Sequence, residues 1–384
     1  MTDVAIARAG VKAGASRLFP DDRQHTLLRA ALLPRPEALE AWRAASPWLD
    51  PARIDPGSRQ LLPLVWANLA HQGVRDPALE RLAGFYRDTR VRVEALLAAA
   101  GRLLAGLHAA GIPTLVLKGG ALVVGYYRDT GVRPMSDLDV LVPTSAATAA
   151  RGILQEQGWS PRFRWSAVGV RMTHAAVFDG AHGLPIDLHW HVFAECCRPD
   201  DDAALWERSI PIEIGGVATR ALSPADQLMH VCVHGEKWVH VPGIRWVADG
   251  VVVMRAAAVD WERLVQEATR RQFVRRLGKQ LAYLRHAVDA PVPADVLAAL
   301  ATTPASRLEQ LEHALGVRER LPSNSLLAHW FTHARSAPAG AVGSLLTFPR
   351  YLQAIWHLEG VSAVPGAAVI RMRRRLPARL RSRR

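Results

Sequence analysis

The chain contains very little cysteine, 3 residues in 384. Cys196 and Cys197 are adjacent and Cys232 stands alone, so the sequence has neither a disulfide framework nor the CxxC spacing of a structural zinc site. Such cysteine usage excludes the class of small disulfide-stabilised secreted proteins. It is typical of a reducing compartment and predicts a cytoplasmic protein.

Long apolar runs are also missing. No stretch approaches the roughly 18 apolar residues that a membrane-spanning helix needs. The first 19 residues lack the apolar centre of a signal peptide. Hydrophobic residues make up 49% of the chain and charged residues 22%, which is ordinary for a globular protein. We therefore expect no transmembrane segment and a chain long enough for two or three domains.

Lysine is rare as well, with 4 Lys against 44 Arg, yet the formal net charge is +13. Eight of the arginines lie in residues 371–384, and without them the net charge is only +5 (13 minus 8). The charge therefore does not by itself indicate a nucleic-acid-binding protein. We predict that residues 361–384 form a basic, disordered tail, with contact to RNA or an anionic membrane surface as the alternative.

The hydrophobic pattern changes twice along the chain. Helical spacing dominates residues 1–84, alternating strand-like segments fill much of residues 85–222, and helical spacing returns in residues 223–360. Ser223 followed by Pro224 is a favourable helix start. The sequence predicts an α+β fold, in which a small mixed β-sheet core lies between helical N-terminal and C-terminal regions.

The most informative stretch is residues 113–142. It is predicted to form a strand over 114–117, a turn at Gly119 and Gly120, a helix over 121–127 and a second strand over 136–142. Asp137 and Asp139 would lie on one face of that second strand. Two carboxylates on one face repel each other unless a cation lies between them, so we predict a divalent-metal site.

A third alternating strand, over residues 184–192, places Asp187, His189 and His191 on one face. If it pairs beside the strand of Asp137 and Asp139, three carboxylates converge. Such a set with two metal ions suits nucleotidyl or phosphoryl transfer.

The turn before the helix offers a place for phosphates. Gly119 and Gly120 would let backbone N–H groups approach phosphate oxygens closely. Lys118 and Arg133 would add positive charge there.

These residues, in this order, resemble the uncharacterised bacterial nucleotidyltransferase family of the polymerase-β-type nucleotidyltransferase superfamily. The resemblance covers roughly residues 85–260 and depends on three runs: Leu117–Leu122, Asp137–Val142 and Asp187–Trp190. The gap between Gly120 and Asp137 is slightly longer than in the simplest members, which suggests a specialised loop over residues 128–133.

The resemblance implies a metal-dependent enzyme that binds ATP or another NTP together with Mg²⁺, or alternatively Mn²⁺. It would transfer NMP to an acceptor hydroxyl and release pyrophosphate. By position, Asp137 and Asp139 would bind metal, Asp187 would complete the site and help activate the hydroxyl, and Gly119 and Gly120 would hold the triphosphate. The acceptor stays open, with a small molecule or a peptide or protein favoured over RNA. A non-catalytic nucleotide-binding or partner-binding protein is the alternative.

The histidines carry weaker signals. His230 and His234 are spaced i, i+4, but no glutamate follows His230 to make the HExxH metalloprotease motif. We predict that this helix covers the cleft and contributes His234 and Lys237 to substrate binding, with packing between helices as the alternative. For His189, lining the metal site and a structural role both stay open, and His191 is assigned a structural or supporting role.

Overall fold

The computed structural model describes residues 19–163, 165, 167–180, 184–235, 243–337 and 340–375. The predicted α+β fold is confirmed: a mixed sheet is surrounded by helices. Within these residues, no helix is both long enough and apolar enough to cross a bilayer.

The strands form one seven-stranded sheet in the order β3-β4-β5-β2-β1-β7-β6. Only the β5–β2 and β1–β7 pairs are parallel, and the other neighbours are antiparallel. The strand bounds are β1 Leu115–Leu117, β2 Leu138–Leu141, β3 Trp159–Pro161, β4 Ala175–Gly180, β5 Ile186–His189, β6 Ile210–Ile214 and β7 Val217–Ala221.

Helices fill both ends of the described chain. Before β2 they are Asp22–Leu32, Glu37–Ala45, Pro56–Arg59, Leu62–His71, Pro77–Glu80, Ala83–Ala109 and Lys118–Leu122, which continues as a π-helix over Val123–Tyr127. Between β2 and β6 they are Ala147–Glu156, preceded by a 3₁₀ turn over Thr144–Ala146, Ala167–Met172 and Ala203–Glu207. After β7 they are Pro224–Gly235, Arg245–Ala256, Trp261–Arg270, Val274–Val288, Ala294–Thr302, Arg307–Ala314, Val317–Arg320, Leu326–Ser336, Gly340–Ile355 and, after a 3₁₀ turn over Val361–Ala363, Val364–Arg375.

The two faces of the sheet pack on different cores because side chains alternate along a strand. Val116, Val140 and Leu188 point to one face and join a buried cluster with the helices Ala83–Ala109 and Ala147–Glu156. Leu117 and Leu141 point to the other face and join the cluster formed by the terminal helical regions. Asp139 lies between Leu138 and Val140, so its side chain points to the same face as Leu141, toward the cluster formed by the terminal helical regions.

The two helical regions are not separate bodies on opposite sides of the sheet. Leu28, near the N-terminus, and Leu281 belong to one buried cluster, and the Arg255 guanidinium donates to the Leu32 carbonyl at 2.5 Å. The domain boundaries at residues 84, 222 and 360 stay predictions, although the last strand ends at Ala221 and a helix begins at Pro224.

Three local predictions were wrong. Gly119 and Gly120 lie inside the first turn of the helix Lys118–Leu122, rather than in a turn before a helix that starts at residue 121. β2 begins at Leu138, so Asp137 precedes the strand. A helix, Val364–Arg375, occupies the first part of the segment predicted to be disordered, and residues 376–384 lie outside the described residues.

Candidate active site

Three side chains from two neighbouring strands converge on one point. Asp139, Asp187 and His189 each offer a ligand atom, and these atoms all lie within 4.8 Å of one another. His189 Nε2 lies 3.0 Å from Asp139 Oδ1. Two ligand atoms bound about 2.1 Å from one cation at a right angle would be roughly 3.0 Å apart, so this geometry fits a cation.

The register of the sheet explains the convergence. β2 and β5 run parallel with Asp139 directly opposite Asp187 and Leu141 opposite His189. Residues paired across parallel strands place their side chains on the same face. The predicted pairing of these two strands is thus confirmed.

His191 leaves this group, contrary to the predicted alternation over residues 184–192. β5 ends at His189. The backbone N–H groups of Trp190 and His191 both donate to the His174 carbonyl oxygen, with N–O distances of 2.9 and 3.2 Å. Two consecutive N–H groups on one acceptor break the strand alternation, as in a β-bulge. The His191 ring instead binds Asp202, with Nδ1 and Oδ2 3.0 Å apart.

Lys118 supplies a cation to the carboxylates. It follows β1 directly, with φ at +43°, and Leu117 at the end of β1 lies opposite Asp139. A positive φ is uncommon for a residue with a side chain, and here it turns the chain sharply from strand to helix. The Lys118 ammonium donates to Asp139 Oδ1, which also faces His189 Nε2.

The charges of the group depend on one another. Burial alone would raise the pKa of Asp139, but Lys118 and His189 outweigh burial and lower it. Burial raises the pKa of Asp187, and the neighbouring Asp139 carboxylate raises it further. Burial acts to lower the pKa of Lys118, yet attraction to Asp139 and then to Asp187 and Asp137 raises it. The single positive charge of Lys118 thus faces the carboxylates of Asp139, Asp187 and Asp137. A bound divalent cation would balance the remaining negative charge.

Asp137 lies at the same cavity but outside the convergent group. Its side chain is half-buried and lines a cavity of about 260 Å³ together with Lys118 and Asp139. Its position before β2 explains why it does not align with Asp187 as Asp139 does. Its role as a metal ligand stays a prediction.

Gly119 and Gly120 are buried, and packing explains why both are glycine. A Cβ on Gly119 would lie 2.9 Å from Arg133 Nη1 and 2.9 Å from Met135 Cγ. A Cβ on Gly120 would lie 3.0 Å from a methyl carbon of Val116. A side chain at either position would therefore require neighbouring side chains to shift, and the phosphate-binding role of this turn stays a prediction.

Arg133 is held in a buried bidentate ion pair. Its Nε and Nη2 donate to the two carboxylate oxygens of Asp249 at 2.7 and 2.8 Å, and the Tyr127 hydroxyl donates to the same carboxylate at 2.9 Å. Burial raises the Tyr127 pKa well above its ordinary value, and the Asp249 charge adds to this. The pair joins the loop before β2 to the helix Arg245–Ala256, and Arg133 also lines the cavity.

Arg245 lies at the same wall but does not pair with Asp249 in the i, i+4 manner that its spacing suggests. Its guanidinium donates to the Pro134 carbonyl at 3.0 Å. Burial lowers the pKa of Arg245 to about 10, and the neighbouring Arg133 charge acts in the same direction. Two guanidinium groups thus lie at this wall of the cavity, and the charge of one of them, Arg133, is neutralised by Asp249.

The helix Pro224–Gly235 covers the cavity with one of its faces. Gln227, His230, Val231 and His234, spaced three or four residues apart, line it. The predicted position of His234 at the cleft is confirmed, whereas Lys237 lies outside the described residues. The ring centroids of His230 and His234 are 5.8 Å apart.

Sequence reasoning missed some of the residues that shape this cavity. The i, i+4 spacing of Arg245 and Asp249 in the sequence favours a local pair, and no motif marks Gln227. The only signal for Gln227 was its helical spacing from His230 and His234, and no local pattern joins Asp249 to a loop more than 100 residues earlier.

The comparison with protein families agrees with this geometry. No curated protein matches the sequence significantly. The sequence model of the uncharacterised nucleotidyltransferase family matches residues 58–289, which include every cavity residue from Lys118 to Asp249. Because this match covers more than half of the chain, the protein belongs to the uncharacterised nucleotidyltransferase family.

Proposed function

We propose that the protein transfers a nucleoside monophosphate group from an NTP, with ATP as the first candidate, to an acceptor hydroxyl. The hydroxyl oxygen forms a bond to the α-phosphorus, the bond to the bridging oxygen breaks, and pyrophosphate leaves. The convergence of Asp139, Asp187 and His189 beside Lys118 is the observation that carries this proposal.

The site has the donors for a divalent cation. Asp139 and Asp187 would hold it, with His189 as a nitrogen ligand and with Asp137 in the cavity that Asp139 also lines. Bound Mg²⁺ or Mn²⁺ would neutralise phosphate charge and lower the pKa of the attacking hydroxyl. Carboxylates suit Mg²⁺ and Mn²⁺, whereas an imidazole nitrogen favours Mn²⁺ over Mg²⁺.

The protein's own groups have separate tasks. Lys118, Gly119 and Gly120 would hold the triphosphate, with the guanidinium groups of Arg133 and Arg245 adding positive potential at the cavity wall. Asp187 would orient the acceptor hydroxyl and take its proton as general base. The face of His230 and His234 would close the site above the acceptor, and Lys237 is proposed to contact substrate from the segment that follows.

A small molecule or a peptide or protein hydroxyl is the proposed acceptor, with RNA ranked below. The cavity of about 260 Å³ is lined by Asp139 of β2, by the loop before β2 and by the helices Lys118–Leu122, Pro224–Gly235 and Arg245–Ala256. A non-catalytic nucleotide-binding or partner-binding protein is the alternative. The presence of all three carboxylates, Asp137, Asp139 and Asp187, counts against it.

The test is incubation of the purified protein with NTPs labelled in the α-phosphate, with Mg²⁺ or Mn²⁺, and with candidate acceptors, followed by measurement of pyrophosphate. Asp139→Asn and Asp187→Asn should each reduce turnover at least 100-fold, since charge stabilisation at the reacting centre is usually the largest catalytic contribution.

Asp179→Asn is the matched control. Asp179 lies on β4, next to β5, but is half exposed and pairs with Arg162 at the surface. It should leave turnover unchanged. Equal nucleotide binding and equal turnover in the wild type and in Asp139→Asn would refute the enzymatic function, whereas binding without turnover in the wild type would favour the non-catalytic alternative.

A further inference from the structure

A second cavity lies beyond the end of β5. Its volume is about 660 Å³, within the range of small-molecule sites, about 300–1,000 Å³. Pro143 and Thr144, which follow β2, and Trp190 and His191, which follow β5, form one side. The helices Leu326–Ser336 and Gly340–Ile355 contribute to the other side. Its described lining residues include none of those that line the cavity at Asp139.

The walls of this second cavity are mainly apolar. Trp190, Trp206 and Tyr351 supply aromatic surface, and Met172 supplies a flexible apolar side chain. Apolar walls with a few well-placed polar groups are typical of small-molecule sites. The body of a matching ligand should therefore be apolar and planar enough to lie against aromatic rings.

His191 is a fixed polar group at this wall. The residue is 4% exposed, and its Nδ1 lies 3.0 Å from Asp202 Oδ2, which also accepts the Val192 N–H at 3.2 Å. Asp202 thus occupies the Nδ1 side of the ring and leaves Nε2 for another partner. In the described part of the chain, Nε2 has no hydrogen-bond partner. A ligand hydroxyl, which can both donate and accept, could therefore form a hydrogen bond with it.

We propose that this cavity is a second binding site, for a small molecule with an apolar, aromatic-sized body and one hydroxyl group that forms a hydrogen bond with His191 Nε2. The site does not depend on the proposed nucleotidyl transfer. It is nevertheless joined to the acidic group through β5, because His189 ends that strand two residues before His191.

The test uses 2-naphthol and naphthalene as a probe pair that differs by one hydroxyl, with binding to the full-length protein measured by calorimetry. The wild type should bind 2-naphthol about tenfold more tightly than naphthalene, the usual effect of one satisfied hydrogen bond in a buried site. His191→Asn keeps an amide N–H near the position of Nδ1 for Asp202 but removes Nε2. In this variant the preference should fall to about one while naphthalene still binds.

A second variant checks the location. Ala203 is exposed at the start of the helix Ala203–Glu207 and lines the cavity, so Ala203→Trp should fill it with little effect on folding and reduce 2-naphthol binding at least tenfold. Ala298→Trp, at an exposed position of the helix Ala294–Thr302, adds the same side chain elsewhere and should bind like the wild type. Equal binding by Ala203→Trp and the wild type, equal affinity of the wild type for both probes, or no saturable binding to the wild type would each overturn the proposal.

Discussion

Lys118→Met gives the most direct view of how the acidic group binds cations. The Lys118 ammonium donates to Asp139 Oδ1, the oxygen that also lies 3.0 Å from His189 Nε2. A metal ion held by Asp139 and His189 must therefore displace this ammonium. Methionine keeps much of the length and volume of lysine but carries no charge, so the variant removes the competitor without opening a large cavity.

The expected magnitude follows from the burial of the pair. The side chains of Lys118 and Asp139 are only 19% and 3% exposed, so solvent screens their attraction weakly. A hydrogen bond to a charged group contributes about 1.5–3 kcal/mol, and each ~1.4 kcal/mol is tenfold in affinity. Lys118→Met should therefore bind Mn²⁺, in the absence of nucleotide, roughly 10- to 100-fold more tightly than the wild type. It should also bind NTP more weakly, because a phosphate-binding ammonium is lost.

The assay is titration with Mn²⁺ followed by the paramagnetic signal of the free ion, first without nucleotide and then with a non-hydrolysable NTP. Lys118→Arg keeps the positive charge and should stay close to the wild type in Mn²⁺ affinity. Lys279→Met removes a lysine from the helix Val274–Val288, away from the described cavity wall, and should change neither affinity. If Lys118→Met leaves Mn²⁺ affinity unchanged or weakens it, the ammonium does not compete with the metal and the reasoning is wrong.

Three further predictions concern other parts of the molecule. His189→Ala should weaken Mn²⁺ binding at least tenfold and Mg²⁺ binding less, because imidazole suits transition ions; equal losses for both ions in a calorimetric titration would refute a nitrogen ligand. Asp249→Asn leaves the buried Arg133 charge unpaired and should cost about 3–5 kcal/mol of unfolding free energy in urea; a loss below about 1 kcal/mol would contradict the buried pair. Burial acts to raise the pKa of Glu312, but attraction to neighbouring arginines outweighs burial and lowers it to about 2. The ionised Glu312 therefore stabilises the fold fully above its ordinary pKa of 4.5, and this stabilisation is lost as the pH falls toward 2. The urea midpoints of the wild type and Glu312→Gln should thus differ most near neutral pH and converge between pH 4.5 and 2, and a pH-independent difference would refute this.

Much of the site could be predicted from the sequence because its parts depend on local periodicity. The alternation around Asp139 and Asp187 places each carboxylate on a known face of its strand, and the family resemblance puts those strands in order. That the two strands pair was stated only as a condition; the structure meets it and adds the parallel direction and the register. The helix that begins at Pro224 was equally visible, since a serine before a proline starts a helix in a recognisable way.

The partners of the charged groups were not predictable in the same way. Arg133 pairs with Asp249, which lies 116 residues later in the sequence. The periodicity within one helix or strand cannot predict a pair between residues so far apart. The helical spacing of Arg245 and Asp249 pointed to a local pair, but burial at the cavity wall favours the bidentate geometry that the Arg133 guanidinium can form with Asp249. The competition for one carboxylate was decided by tertiary geometry rather than by sequence distance.

The end of β5 illustrates the same point for function. Strict alternation would have added His191 to Asp187 and His189 and crowded one site with a further imidazole. Instead, the His174 carbonyl takes two consecutive N–H groups, and the chain turns before His191. Because the strand alternation is broken after His189, the two histidines contact different carboxylates. His189 contacts Asp139, and His191 contacts Asp202. Two histidines only two residues apart therefore belong to different sites, His189 to the acidic group and His191 to the wall of the second cavity.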